Sequence, residues 1–312
     1  HEATESLRYF SSMDYERHAL VTDGVRLTFF DAGHILGSAL SALDVTEDGR
    51  TVRLLYTGDL GRRDLPILRD PQLVPDVDYL VIESTYGNRE HGSLQDAERQ
   101  LQRVVNESHA RGGKLIIPAF SVGRTQEIVY LLDQANTAGL LPKVKVYVDS
   151  PLAINATAVY GSHPECFDNQ LSEYMLIDNN PFGFNDLTYI RQAEESKGLN
   201  NSKEPCIIIS SSGMMNAGRV KHHLFNNIED PRATFLIVGY CSPDTPGGKL
   251  RAGLPGFKIF NQYMEVKADV EVMDSFSAHG DRDEMKDFVF NQKSKLKKLF
   301  LVHGEYDTQQ AW

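Results

Sequence analysis

Near its C-terminal end the chain twice runs a β-branched, apolar stretch into a histidine set beside a small residue and a carboxylate. Residues 268–273 lead into Asp274-Ser275-Phe276-Ser277-Ala278-His279-Gly280-Asp281, and residues 299–302 lead into His303-Gly304-Glu305. Such runs read as buried strands ending in polar tips. A strand holds the residue at its C-terminal lip in place, so both imidazoles can reach into a cleft. This constrains the fold, because the remaining chain has to deliver partners to two histidines fixed at strand ends. A plainer reading stays open for each: His279 as a residue ahead of a helix N-cap at Asp281, and His303 as an ordinary strand-to-turn exit.

Three upstream strands have the same form. Residues 25–30 alternate and end in Asp31-Ala32-Gly33-His34-Ile35-Leu36-Gly37-Ser38-Ala39. Residues 53–56 run into Thr57-Gly58-Asp59-Leu60-Gly61, and residues 79–82 into Glu83-Ser84-Thr85-Tyr86-Gly87. An aspartate between glycine-permitted turns is a metal-ligand arrangement, since the carboxylate supplies hard oxygen and the glycines admit a close backbone. His, Asp and Glu thus arrive from three strands at what reads as one rim. Taken singly, Asp59 also suits a turn cap and Glu83 a solvated strand end.

From Ser93 the period changes. Residues 94–110, 123–132 and 152–160 read as helices, and 114–118, 144–148, 206–209 and 234–238 as strands. That alternation predicts a parallel, doubly wound α/β unit. The strand at 206–209 meets Ser210-Ser211-Ser212-Gly213-Met214-Met215-Asn216-Ala217-Gly218-Arg219. A Ser/Gly loop between strand and helix suits a phosphate, through backbone N–H groups and the helix dipole, though it also fits a plain βα turn. The organisation expected is one domain over 1–88, an inserted domain over 89–258, and the first domain resumed over 259–312. A short amphipathic helix is expected at 2–10. The basic run Lys293, Lys295, Lys297, Lys298 reads as a solvated linker, and His222 and His223 carry no assigned role.

The net charge of −11 argues against a protein that coats nucleic acid indiscriminately, which needs broad positive surface. It leaves room for a nuclease with a local basic cleft or with metal ions facing phosphates. Cys166, Cys206 and Cys241 are odd in number and far apart, as expected of reduced thiols in a cytosolic, cytoplasmic protein. No apolar run is long enough to span a membrane, so no membrane partner is expected.

Together, Ala32-Gly33-His34, Thr57-Gly58-Asp59-Leu60-Gly61, Glu83-Ser84-Thr85-Tyr86-Gly87, Phe276-Ser277-Ala278-His279 and Leu301-Val302-His303-Gly304-Glu305 resemble the β-CASP branch of the metallo-β-lactamase superfamily. The chain is similar to bacterial and archaeal RNases related to the cleavage and polyadenylation endonuclease subunit. The similarity extends through Pro118-Ala119-Phe120-Ser121-Val122-Gly123-Arg124 and the Ser/Gly loop. The resemblance implies an α/β fold: a metallo-β-lactamase αββα sandwich, its N-terminal part missing from this chain, with an inserted doubly wound parallel β-CASP domain. It implies a zinc-dependent ribonuclease with two zinc ions, acting on single-stranded RNA in a cleft between the two domains. His34, Asp59 and His303 would be metal ligands, with Asp59 bridging, and Glu83 and His279 the catalytic pair near the leaving group. Ser212, Gly213, Met214, Gly218 and Arg219 would hold the RNA backbone. A histidine at His303, where the DNA-repair branch carries an apolar residue, implies RNA over DNA. A homodimer is left open.

One departure stands out. The family's His-x-His-x-Asp-His motif, due some tens of residues before His34, is absent, and His1 and His18 lack its spacing. The expectation is an excerpt whose preceding part carries those ligands. The alternatives are a catalytically inactive scaffold subunit of an RNA-processing complex and a small-molecule metallo-hydrolase of the same superfamily.

Overall fold

The computed structural model describes residues 2–292 and 296–312. Lys293 and Lys295 of the expected linker, and His1, lie outside the described residues. The strands, in chain order, are β1 (His18–Thr22), β2 (Val25–Asp31), β3 (Ala39–Glu47), β4 (Arg50–Tyr56), β5 (Tyr79–Glu83), β6 (Lys114–Pro118) and β7 (Lys145–Asp149). They continue with β8 (Leu187–Tyr189), β9 (Cys206–Ser210), β10 (Thr234–Ile237), β11 (Gly256–Ile259), β12 (Gln262–Glu265), β13 (Asp269–Val272) and β14 (Lys298–Val302). The chain forms two compact units. One comprises the residues up to Asp64, Arg69–Glu90 and His279–Trp312; the other comprises Leu65–Leu68 and His91–Ala278.

The first unit is built on a six-stranded sheet of order β1-β2-β3-β4-β5-β14. β1 to β4 pair antiparallel, while β4–β5 and β5–β14 pair parallel. One face buries Leu40, Ala42, Leu55, Leu80 and Ile82 under Met285 and Phe288 of helix Arg282–Phe290. Each such side chain taken fully from water contributes roughly 1.5–3 kcal/mol. That helix starts as the sequence foresees: Asp281 accepts from the N–H groups of Asp283 and Glu284, and Glu284 returns a bond to the Asp281 N–H, a capping box. The other face carries the rows Leu27-Leu43-Leu54-Tyr79 and Phe29-Ser41-Tyr56-Val81-Phe300, half-buried or exposed. One sheet and its helical layer thus represent the expected sandwich.

The second unit holds a six-stranded sheet of order β13-β10-β6-β9-β7-β8, with every adjacent pair parallel. From β6 the chain winds outward to β7 and β8, returns to β9, and then builds β10 and β13 on the other side. This is the doubly wound pattern. Helix Leu94–Ala110 is capped by Ser93, whose hydroxyl accepts from the Asp96 N–H. It buries Ala97, Leu101, Val104 and Val105, a helical stripe at one-turn and two-turn spacing.

The structure departs from the sequence expectation at 259–278. The strand foreseen at 268–273 pairs with β10, in register Thr234↔Asp269 to Ile237↔Val272, so it extends the second sheet, not the first. Its residues are half-buried throughout, the pattern of an edge strand that either sheet would accept. Along the chain the units accordingly divide at 90/91 and 278/279, where 88/89 and 258/259 were expected, and again around the short segment Leu65–Leu68. β1, β3, β8 and the hairpin β11–β12 lie outside the strands that the sequence predicts. The three cysteines are free, and no described helix is long and apolar enough to cross a membrane.

Candidate metal centre

Because β2, β4, β5 and β14 run in one direction, their C-terminal ends share a rim of the first sheet. His34 follows β2, Asp59 follows β4, Glu83 closes β5 and His303 follows β14. Two loops are locked together to bring the first pair close. The Gly61 N–H donates to the Ala32 carbonyl at 2.7 Å, and a Cβ on Gly61 would stand 2.1 Å from the Gly33 oxygen. Only glycine admits that approach. Gly33 itself has φ +63° and is backed by Pro71. His279 arrives through a bridge to Gly61 and a bond from the Gly280 N–H to the Leu60 carbonyl, 2.8 Å.

Asp59 sits between two imidazoles. Its Oδ2 lies 3.7 Å from His34 Nε2 and its Oδ1 lies 3.1 Å from His303 Nδ1. His279 Nδ1 is 2.9 Å from both carboxylate oxygens of Glu83. The rings of His34 and His279 meet with centroids 4.5 Å apart, and Tyr86 flanks His279 at 6.0 Å. The donor atoms fall into two groups, His34–Asp59–His279 and Asp59–Glu83–His303, each within 4.8 Å. Asp59 belongs to both. Imidazole nitrogen with carboxylate oxygen is a donor set that suits zinc, so the residues present fit such an ion.

Glu83 is almost fully buried. Burial by itself pushes its carboxyl up, but the His279 ring, the Thr85 hydroxyl and the Leu60 N–H outweigh burial and hold it below the ordinary glutamate value. An ionised carboxylate only accepts, so His279 Nδ1 carries the shared proton. His303 adopts a left-handed backbone, φ 51°, tied by the Thr85 hydroxyl, which donates to the His303 carbonyl at 3.0 Å. All five residues singled out on this rim therefore come together.

The Ser/Gly loop lies in the second unit. The Ser212 hydroxyl donates to Asn216 Oδ1 at 2.8 Å, Gly213 packs on the Phe120 ring, and Met214 lies against the core. Gly218 has φ +80°, with Ser211 O only 2.3 Å from where a Cβ would be. Arg219 points back into the protein. Its Nη1 donates to Asp149 Oδ1 at 2.7 Å and Ile190 O at 3.1 Å, and its Nη2 to Arg191 O at 2.7 Å. Asp149 is fully buried, and also accepts from the Ser196 hydroxyl at 2.5 Å and bonds His223 Nε2 at 2.7 Å. Burial pushes the Asp149 carboxyl up, but bonds from His223, Ser196 and Arg219 together hold it below the ordinary aspartate range. This network was missed from the sequence; its one local signal was an aspartate at the end of β7.

Comparison with known proteins agrees with the geometry. The Beta-Casp domain family matches residues 125–250. The Zn-dependent metallo-hydrolase RNA specificity domain matches residues 263–312. A ribonuclease of Thermus thermophilus is 33% identical over 305 residues, covering 97% of this chain and 68% of the relative. An RNase J-like protein of Methanocaldococcus jannaschii is 36% identical over 299 residues, covering 94% and 67%. Transcription termination factor FttA of Methanosarcina mazei is 33% identical over 311 residues, covering 96% of this chain and 48% of its own length. The chain thus spans about half of the FttA relative and about two thirds of the other two. With the rim geometry and matches that run through nearly its whole length, the chain belongs to the β-CASP family of metallo-β-lactamase-fold RNases.

Proposed function

We propose that the chain carries part of a zinc-dependent ribonuclease that hydrolyses phosphodiester bonds of single-stranded RNA. The observation that carries this reading is the convergence of His34, Asp59 and His303 from three strand ends, beside the Glu83–His279 pair. His34 and His303 would each hold a zinc ion, and Asp59 would bridge two, consistent with its place in both donor groups. Zinc held by these residues would supply Lewis acidity for attack on the phosphodiester.

The chain's own groups account for the rest. Glu83 accepts the Nδ1 proton of His279 and so orients the ring; in its doubly protonated, imidazolium form the ring would give one proton to the departing 3′ oxygen and end neutral. The names of the relatives, a ribonuclease and an RNase J-like protein, support RNA as substrate. In the second unit, Gly213, Met214 and Gly218 would offer backbone N–H groups to an RNA phosphate, with Ser212, whose N–H is taken by the Ala217 carbonyl, holding the turn and Arg219 fixing the loop from behind.

The test is elemental analysis and RNA cleavage by the intact protein and its Asp59→Ala variant. Both zinc content and cleavage should fall, because a bridging carboxylate touches both ions. Zinc retained in full by the variant would remove Asp59 from the metal site.

A further inference from the structure

Between helix Pro151–Gly161 and the segment 180–191, the second unit forms a pocket of about 660 Å³, a size typical of small-ligand sites. Three rings are among its lining residues: Phe182 is buried, and Phe184 and Tyr189 are half-buried. Asn180 and Asn185 add amide groups, and the exposed Arg191 completes the polar lining; the Thr157 hydroxyl is engaged within the wall, donating to the Ala153 carbonyl and accepting from Gln126 Nε2. No lining residue is acidic, although the chain carries a net charge of −11.

The walls are held from behind. The Tyr189 hydroxyl donates to the Phe182 carbonyl at 2.6 Å, and burial pushes that phenol up to about 12, so it stays neutral. Phe182 meets Tyr160 and Phe167 edge-on, with centroids 6.2 and 6.3 Å apart. Arg219 grips the carbonyls of Ile190 and Arg191. The Arg191 guanidinium itself bonds an amide oxygen, Asn155 Oδ1, at 3.2 Å, which leaves its charge uncompensated by that partner.

We propose that this pocket seats one nucleobase of a single-stranded RNA, with Phe184 stacking on the base and Arg191 taking the adjacent phosphate. Aromatic rings, amide groups for a base edge, one guanidinium and no carboxylate are the complement of a nucleotide unit. A duplex hides its base faces, so the strand has to be single. The proposal rests on the reading of this protein as one that acts on RNA.

The experiment measures binding of a single-stranded RNA oligomer, and of an oligomer of the same length lacking its bases, to the intact protein and to Phe184→Leu and Arg191→Gln variants. Phe184→Leu keeps apolar volume and removes the stacking face. It should weaken binding of RNA about tenfold and leave the base-free oligomer unaffected. Arg191→Gln should weaken binding of both oligomers and reduce the salt slope by about 0.7, the value for one phosphate on a single strand. If Phe184→Leu weakened both oligomers equally, the ring would be scaffold and the base seat refuted. Parental affinity and slope in both variants would eliminate the pocket and leave the RNA reading standing. A parent that bound no RNA would bring down that reading, and the pocket with it.

Discussion

Replacing Arg219 by alanine separates two roles for one guanidinium. In the structure it donates to Asp149 and to two carbonyls, and Asp149 is fully buried. Removing one partner of a buried ion pair typically destabilises by about 3–5 kcal/mol, because a charge is left uncompensated. Here Asp149 keeps His223 and Ser196, and the Arg219 side chain is 21% exposed, so about 2–3 kcal/mol is expected. For a unit of 150–250 residues that lowers Tm by roughly 5–10 °C. The loss should also depend on pH. The Asp149 carboxyl is held below its ordinary value of 3.8, so its contribution is complete above that pH and disappears as pH falls through the folded value. Parent and variant should therefore converge in acid. Thermal and urea unfolding across pH, with RNA affinity measured against salt, makes the assay. A variant that melts like the parent but binds RNA more weakly, with a salt slope shallower by one phosphate, would show the guanidinium on RNA and refute this argument.

His279→Ala in the intact protein should keep its zinc and bind RNA, yet cleave about a hundred- to ten-thousand-fold more slowly. Glu83→Gln should fall between, and the double variant should lose less than the product of the two, since both act on one proton. A substrate with sulfur at the scissile leaving position needs no proton to depart and should restore much of the His279→Ala rate; no rescue at intact zinc content would place the acid elsewhere. Asp133, buried on helix Arg124–Thr137 and receiving the Tyr174 hydroxyl at its Oδ2, has its carboxyl pushed up by burial to about 6. Between its ordinary value of 3.8 and that pH the folded state binds the extra proton, so stability falls as pH rises. The cost above pH 6 is about 3 kcal/mol at about 1.4 kcal/mol per unit. Asp133→Asn should thus out-melt the parent at pH 7.5, with the difference shrinking toward pH 4; a difference independent of pH would contradict the burial argument.

Local chemistry determined the strands that end in His34, Asp59, Glu83 and His303, the alternation of strand and helix in the second unit, and the capped start of helix Arg282–Phe290. Each depends on side-chain period, a turn glycine or a cap, all of which act within a few residues. Tertiary structure alone decided which sheet took β13, since a half-buried edge strand satisfies either one and only its parallel register with β10 chooses. It alone set Asp59 between His34 and His303, because that depends on β2, β4, β5 and β14 sharing a direction and on Gly61 meeting the backbone of Gly33. And it turned Arg219 inward: a side chain at the end of a Ser/Gly loop reads as free to meet a phosphate until the fold brings a fully buried aspartate from β7 within 2.7 Å. A buried charge must find a partner, and which one it finds is a property of the packed molecule.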